Sequence, residues 1–195
     1  DAAEKATVNV PSFGDGDVLV FVDVSGSMGS SVTGYRPGVP ASKTRCVDVA
    51  GLMASCVLRQ NKNAQVVMFD TSVHLAKLNP RDSIMTNAQK IASYGGGGTN
   101  LAVAMDYANS RGFDAKTVIC VSDNCSWAGG QWGTVAAWQN YKRRVPKAKL
   151  INIDIQTYAH SQVPDTKDVM NIGGFSDAIW PAIVGFIGGE GSDCV

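Results

Sequence analysis

Asp17-Val18-Leu19-Val20-Phe21-Val22-Asp23-Val24-Ser25-Gly26-Ser27 (DVLVFVDVSGS) is the stretch on which the fold turns. Residues 17–22 are nearly all apolar and rich in β-branched side chains, the pattern of a short strand buried on both faces. Asp23, Ser25 and Ser27 follow at alternate positions and emerge at the C-terminal end of that strand. In an open α/β sheet this is the end where ligands bind.

Working outward, the same kind of run recurs between helical patterns. Gln65–Phe69 reads as strand two, Val73–Leu78 as a short antiparallel edge strand, Thr117–Ser122 as strand four, Lys149–Ile155 as strand five and Val169–Ile172 as strand six. Ser42 is the expected N-cap of a helix to about Gln60, whose Cys46, Val49, Ala50, Met53 and Val57 share one face. Asp82 or Ser83 caps a helix to about Ser93. Thr99 and Asn100 open another, Leu101–Arg111, closed by Gly112. Trp132–Arg144 and Asp177–Ile187 complete the set. Strand and helix alternate with crossovers long enough for parallel pairing, which predicts a doubly wound α/β fold. The expected sheet has six mostly parallel strands in the order 3-2-1-4-5-6, with strand 3 the antiparallel edge and helices on both faces. In that order strands one and four are neighbours whose onward connections diverge, so Asp23 and Asp123 meet in the switch-point crevice. The expected organisation is a polar leader over 1–16, one domain over 17–187 and a flexible tail over 188–195.

The chemistry of the crevice points to a hard cation. A carboxylate and two hydroxyls, with no Cys or His nearby, suit magnesium or manganese better than zinc or copper. Two carboxylates in one crevice also repel each other unless a cation lies between them. The pattern Asp-x-Ser-x-Ser after a first strand resembles the metal-ion-dependent adhesion site of von Willebrand factor A domains. That family adds a Thr from a second loop and an Asp from a third. Here Thr99, after Gly95–Gly98, and Asp123, at the end of strand four, stand in those places. The resemblance implies a divalent cation, magnesium first and manganese as the alternative, held by Asp23, Ser25, Ser27, Thr99 and Asp123. A free position would be completed by an acidic side chain of a protein partner. Trp127 and Asn100, beside the site, are candidate partner contacts.

Several stretches resemble a narrower group. Ser42-Lys43-Thr44-Arg45-Cys46-Val47-Asp48-Val49-Ala50, Leu78-Asn79-Pro80-Arg81-Asp82, Val121-Ser122-Asp123-Asn124 and Asn171-Ile172-Gly173-Gly174-Phe175-Ser176-Asp177 are similar to the C-terminal A domain of Ro ribonucleoproteins, bacterial relatives in particular. In that family the A domain closes a ring of helical repeats that bind small non-coding RNAs and the ends of misfolded RNA. No such repeats occur in the sequence, so the chain is either a fragment of a longer protein or a free-standing relative. The resemblance implies a binding module rather than an enzyme, in the setting of non-coding RNA binding or RNA quality control.

Composition narrows the remaining choices. Lys+Arg and Asp+Glu number 17 each among 195 residues, a balance unlike that of a protein built to coat nucleic acid or anionic lipid. No run of 18 apolar residues occurs, and the first nine residues lack the basic and apolar regions of a signal peptide, so no membrane partner is expected. Five cysteines without close-paired metal spacing suit the reducing cytoplasm.

Three other readings stay open. The glycine run has no Gly-Lys-Ser/Thr after it, which argues against a phosphate loop. Ser27 lies one residue short of a Gly-x-Ser-x-Gly elbow, and a serine hydrolase there would need His74 or His160. Direct contact with single-stranded RNA would use the basic run Lys142, Arg143, Arg144, Lys147 and Lys149.

Overall fold

The computed structural model describes residues 9–14, 17–33, 38, 40–123, 130–156 and 164–189. Six strands form one sheet in the order β3-β2-β1-β4-β5-β6. They are β1 Val18–Asp23, β2 Ala64–Phe69, β3 Val73–His74, β4 Thr117–Ser122, β5 Lys149–Asp154 and β6 Val169–Gly173. All neighbours pair in parallel except β2 and β3, which run antiparallel. The expected order and antiparallel edge are those observed. β1 and β4 occupy the middle, and every residue of both is buried.

Among the described residues five helices cover the sheet: α1 Cys46–Gln60, α2 Ile84–Ala92, α3 Leu101–Ser110, α4 Gly130–Arg144 and α5 Ile179–Gly188. The pleat sends alternate residues of β1 to opposite faces, so the core divides in two. Val18, Val20 and Val22 pack with Ala50, Ala54 and Val57 of α1, Ile84 and Ile91 of α2, and Trp180 and Ile183 of α5. Leu19 and Phe21 pack with Leu101 and Met105 of α3 and with Trp138 and Tyr141 of α4. The connection after β1 therefore covers one face and the connection after β4 the other. That divergence opens the crevice at the C-terminal ends of these two strands.

Three local expectations are corrected. α1 begins at Cys46 rather than after Ser42, because Ser42 is used elsewhere: its amide donates to Thr33 Oγ1 and its hydroxyl accepts from the Thr44 amide. Arg45 stands at the helix entry instead, and Asp48 in the first turn accepts from the Arg45 amide at 2.9 Å. The edge strand stops at His74 instead of Leu78, since the Leu78 amide turns back onto the Ala76 carbonyl. Just past β1, Gly26–Gly29 wind into a 3-10 turn where only loop was expected. Ser83 does cap α2, accepting from the Thr86 amide at 3.0 Å.

The leader is tied down where it is described. Val10 is buried, and the Asn61 side chain accepts from the Phe13 amide at 2.8 Å. At the far margin the outward amide of Asn171 in β6 donates to the Asp165 carboxylate at 3.0 Å. Among the described residues, no helix is long and apolar enough to cross a membrane.

Candidate cation site

Asp23 is the last residue of β1 and Ser25 follows after one residue, so the strand's alternation points both into the crevice. Asp23 Oδ1 accepts from the Ser25 amide at 2.8 Å, which fixes the start of the loop. Ser25 Oγ lies 3.1 Å from Ser27 Oγ, a spacing set by the 3-10 turn. Thr99 Oγ1 donates to Ser25 Oγ at 2.8 Å across 74 residues of chain. Four of the five expected residues thus form one connected set. Asp123 follows β4 directly, is buried, and is close enough for its charge to act on Asp23.

Glycines make the approach of Thr99 feasible. Gly95 takes φ +98°, and a Cβ there would sit 1.6 Å from the Val24 carbonyl oxygen, so no other residue fits. With the side chain absent, the loop lies against the first one: the Gly96 amide donates to Val24 O at 3.2 Å and the Gly26 amide to Gly97 O at 2.8 Å. Asn100, expected as a partner contact, caps α3 by accepting from the Ala102 amide at 3.1 Å.

Sequence reasoning missed Ser122. Its hydroxyl donates to Asp23 Oδ2 at 2.7 Å, so both oxygens of the buried carboxylate are engaged within the protein. As the final residue of an apolar strand it carried one usable signal. It pairs in the sheet directly beside the Asp23 strand, on the same crevice rim.

Burial raises the Asp23 carboxyl to about 6; the Ser122 and Ser25 hydrogen bonds oppose this, and the charge of Asp123 adds to it. Because the folded value lies above the unfolded one, the folded domain holds more protons between about pH 4 and pH 6, and stability falls as pH rises through that window. The expected loss in metal-free protein is on the order of 3 kcal/mol, from two units at about 1.4 kcal/mol each. Urea midpoints of wild type and Asp23→Asn in chelator should diverge across that window. Parallel profiles would contradict it.

The donor set fits a hard dication: two carboxylates and three hydroxyls, all oxygen, on residues that are buried except for the half-buried Ser27. It is not an all-acidic or thiol cage. Among the described residues, no three His, Cys, Asp or Glu side chains gather as metal ligands. Such a set leaves coordination positions for water or an incoming oxygen.

The other sequence candidates lie apart or are engaged. Lys142 bonds the carbonyls of Pro146 and Ala148 and pairs with Asp168 at 3.1 Å. Lys149 reaches the Lys167 carbonyl and the same Asp168, with its ammonium over the Phe186 ring. Arg144 stacks on Tyr141 and bonds the Phe113 carbonyl, and Arg143 bonds Asn140. Lys147 also has an interaction within the domain. Most of the basic run therefore ties α4 to its surroundings. His74 Nε2 sits 2.9 Å from Asp70, while the described partner of Ser27 is Ser25. Trp127 and His160 lie outside the described residues. Cys46, Cys56 and Cys120 are buried in the core.

A mostly parallel sheet in this order, its oxygen-lined crevice at the C-terminal ends of β1 and β4, defines a von Willebrand factor A-type domain. The sequence model of the Ro60 vWA domain matches residues 17–187, and the chain belongs to that family. It is 29% identical over 174 residues to the RNA-binding protein RO60 of Deinococcus radiodurans, a match covering 88% of this chain and 32% of that protein. The crystal structure of the Deinococcus radiodurans RO (RSR) protein superposes with a TM-score of 0.74 at 27% identity, over 95% of this chain and 36% of the other. The chain therefore spans about a third of the length of these relatives.

Proposed function

We propose that this domain is a cation-dependent interaction module of a Ro-like RNA-binding protein. Asp23, Ser25, Ser27, Thr99 and Asp123 hold a divalent cation, magnesium or else manganese. The ion supplies a Lewis-acidic position that a carboxylate of a protein partner completes. The observation that carries this reading is the 2.8 Å bond from Thr99 to Ser25, which gathers hydroxyls from two loops beside the buried Asp23. The reading as a module that binds rather than catalyses is supported by the kinship to Ro RNA-binding proteins. The family relationship supports a setting of non-coding RNA binding or RNA quality control, and cysteines without close-paired spacing suit the cytoplasm.

Magnesium titrated into chelator-treated protein is the test. At a hundred times its dissociation constant a cation bound only by the folded state adds about 2.7 kcal/mol. For a domain of this size that raises the melting temperature by roughly 5–10 °C. A melting temperature unmoved by magnesium or manganese would end the proposal.

A further inference from the structure

We infer that Asp70 is the positioning residue that sets Thr99 at the cation site. The inference rests on the cation reading above and adds a residue outside the five ligands.

Asp70 follows β2 directly, and its oxygens divide their work. Oδ1 accepts from the Ser72 amide at 2.8 Å and lies 2.9 Å from His74 Nε2, closing the turn between β2 and β3. Oδ2 faces the other way and accepts from the Gly97 amide at 3.3 Å. The Asp70 main-chain carbonyl accepts from the Asn100 amide at 3.0 Å. One residue thus grips the chain two positions before Thr99 and one position after it. Gly97 passes its hold onward, since its own carbonyl receives the Gly26 amide of the first loop.

The fit is close. A Cβ on Gly97 would stand 2.9 Å from Asp70 Oδ2 and 3.0 Å from Thr71 Oγ1. Asp70 is buried, and burial alone would push its carboxyl up. The Ser72 amide, His74 and the Gly97 amide outweigh it and hold the group below the ordinary carboxylate range. A turn-closing role explains Oδ1 but leaves the Oδ2 bond to Gly97 without a purpose.

Asp70→Asn separates the two roles. An amide keeps an oxygen for Ser72 while turning its NH2 toward the Gly97 N–H, where it cannot accept. The expected result is a metal-free melting temperature lower by roughly 3–10 °C, since the metal-free fold already makes the Gly97 bond, and a magnesium midpoint about tenfold higher. Faster hydrogen exchange at the Gly97 and Asn100 amides should accompany it. An unchanged midpoint with unchanged exchange overturns the inference. If wild type does not respond to magnesium, the cation reading fails, and exchange at Gly97 and Asn100 in metal-free Asp70→Asn decides the positioning role alone. Should Asp70→Asn not fold, Gly97→Ala disturbs the same contact from the other side and carries the same readouts.

Discussion

Gly95→Ala is expected to destabilise the domain by more than about 3 kcal/mol, or to detach the glycine loop altogether. The added Cβ would lie 1.6 Å from Val24 O and 2.6 Å from its carbonyl carbon, and the neighbour that must yield is backbone. Positive φ adds strain of about 1–2 kcal/mol. Gly96→Ala is the control, because its φ is also positive, at +119°, yet nothing lies within 4 Å of the new carbon. That variant should cost the strain alone. Denaturation midpoints for the two, with and without magnesium, make the comparison. If the loop detaches, Gly95→Ala keeps much of its fold but loses the cation response, since Thr99 leaves Ser25. Equal, mild effects of the two substitutions would refute the close approach on which the site depends.

Asp23→Asn should act in opposite directions with and without the ion. At pH 7 the buried carboxylate of the metal-free protein is ionised against its preference and faces Asp123, so removing its charge stabilises the fold, by on the order of 1–3 kcal/mol. The amide still offers an oxygen to the Ser25 amide, which protects the loop. The same change removes a ligand charge, and the magnesium-induced rise in melting temperature disappears. Calorimetry in chelator and in excess magnesium would record both effects. A variant less stable than wild type in chelator would mean that Asp23 is chiefly a hydrogen-bonded structural residue. A variant that kept its magnesium response would place the ion elsewhere.

The large-scale arrangement was legible because two patterns in the chain are coarse and strong. Apolar runs of five or six residues rich in β-branched side chains read as buried strands, and the helical periods between them favour parallel crossovers. Given the doubly wound order 3-2-1-4-5-6, β1 and β4 are neighbours, with Asp23 and Asp123 at one rim. Thr99 was legible through the resemblance to the adhesion-site family, which adds a Thr from a second loop, here placed just after the glycine run. What escaped was decided by partners distant in sequence. Ser42 looks like a cap until Thr33 and Thr44 are seen to occupy it. Ser122 reads as the end of a strand until its hydroxyl is placed against Asp23. Asp70 reads as a turn residue, because only the fold brings Gly97 to its second oxygen. The basic run showed its charge in sequence but not that Asp168, Phe186 and main-chain carbonyls would surround it.

Both margins of the sheet bear on how the domain behaves when crowded. An open strand edge is a template on which other chains can lengthen the ladder and begin fibrils. Here the two residues Val73 and His74 shield only Phe69 and Met68, so among the described residues the earlier part of β2, residues 64–67, is itself an edge. At the other, the outward amide of Asn171 is already taken by a carboxylate that would repel an approaching acidic strand. Of the two margins, the β6 side is therefore the better guarded against copies of the domain pairing edge to edge.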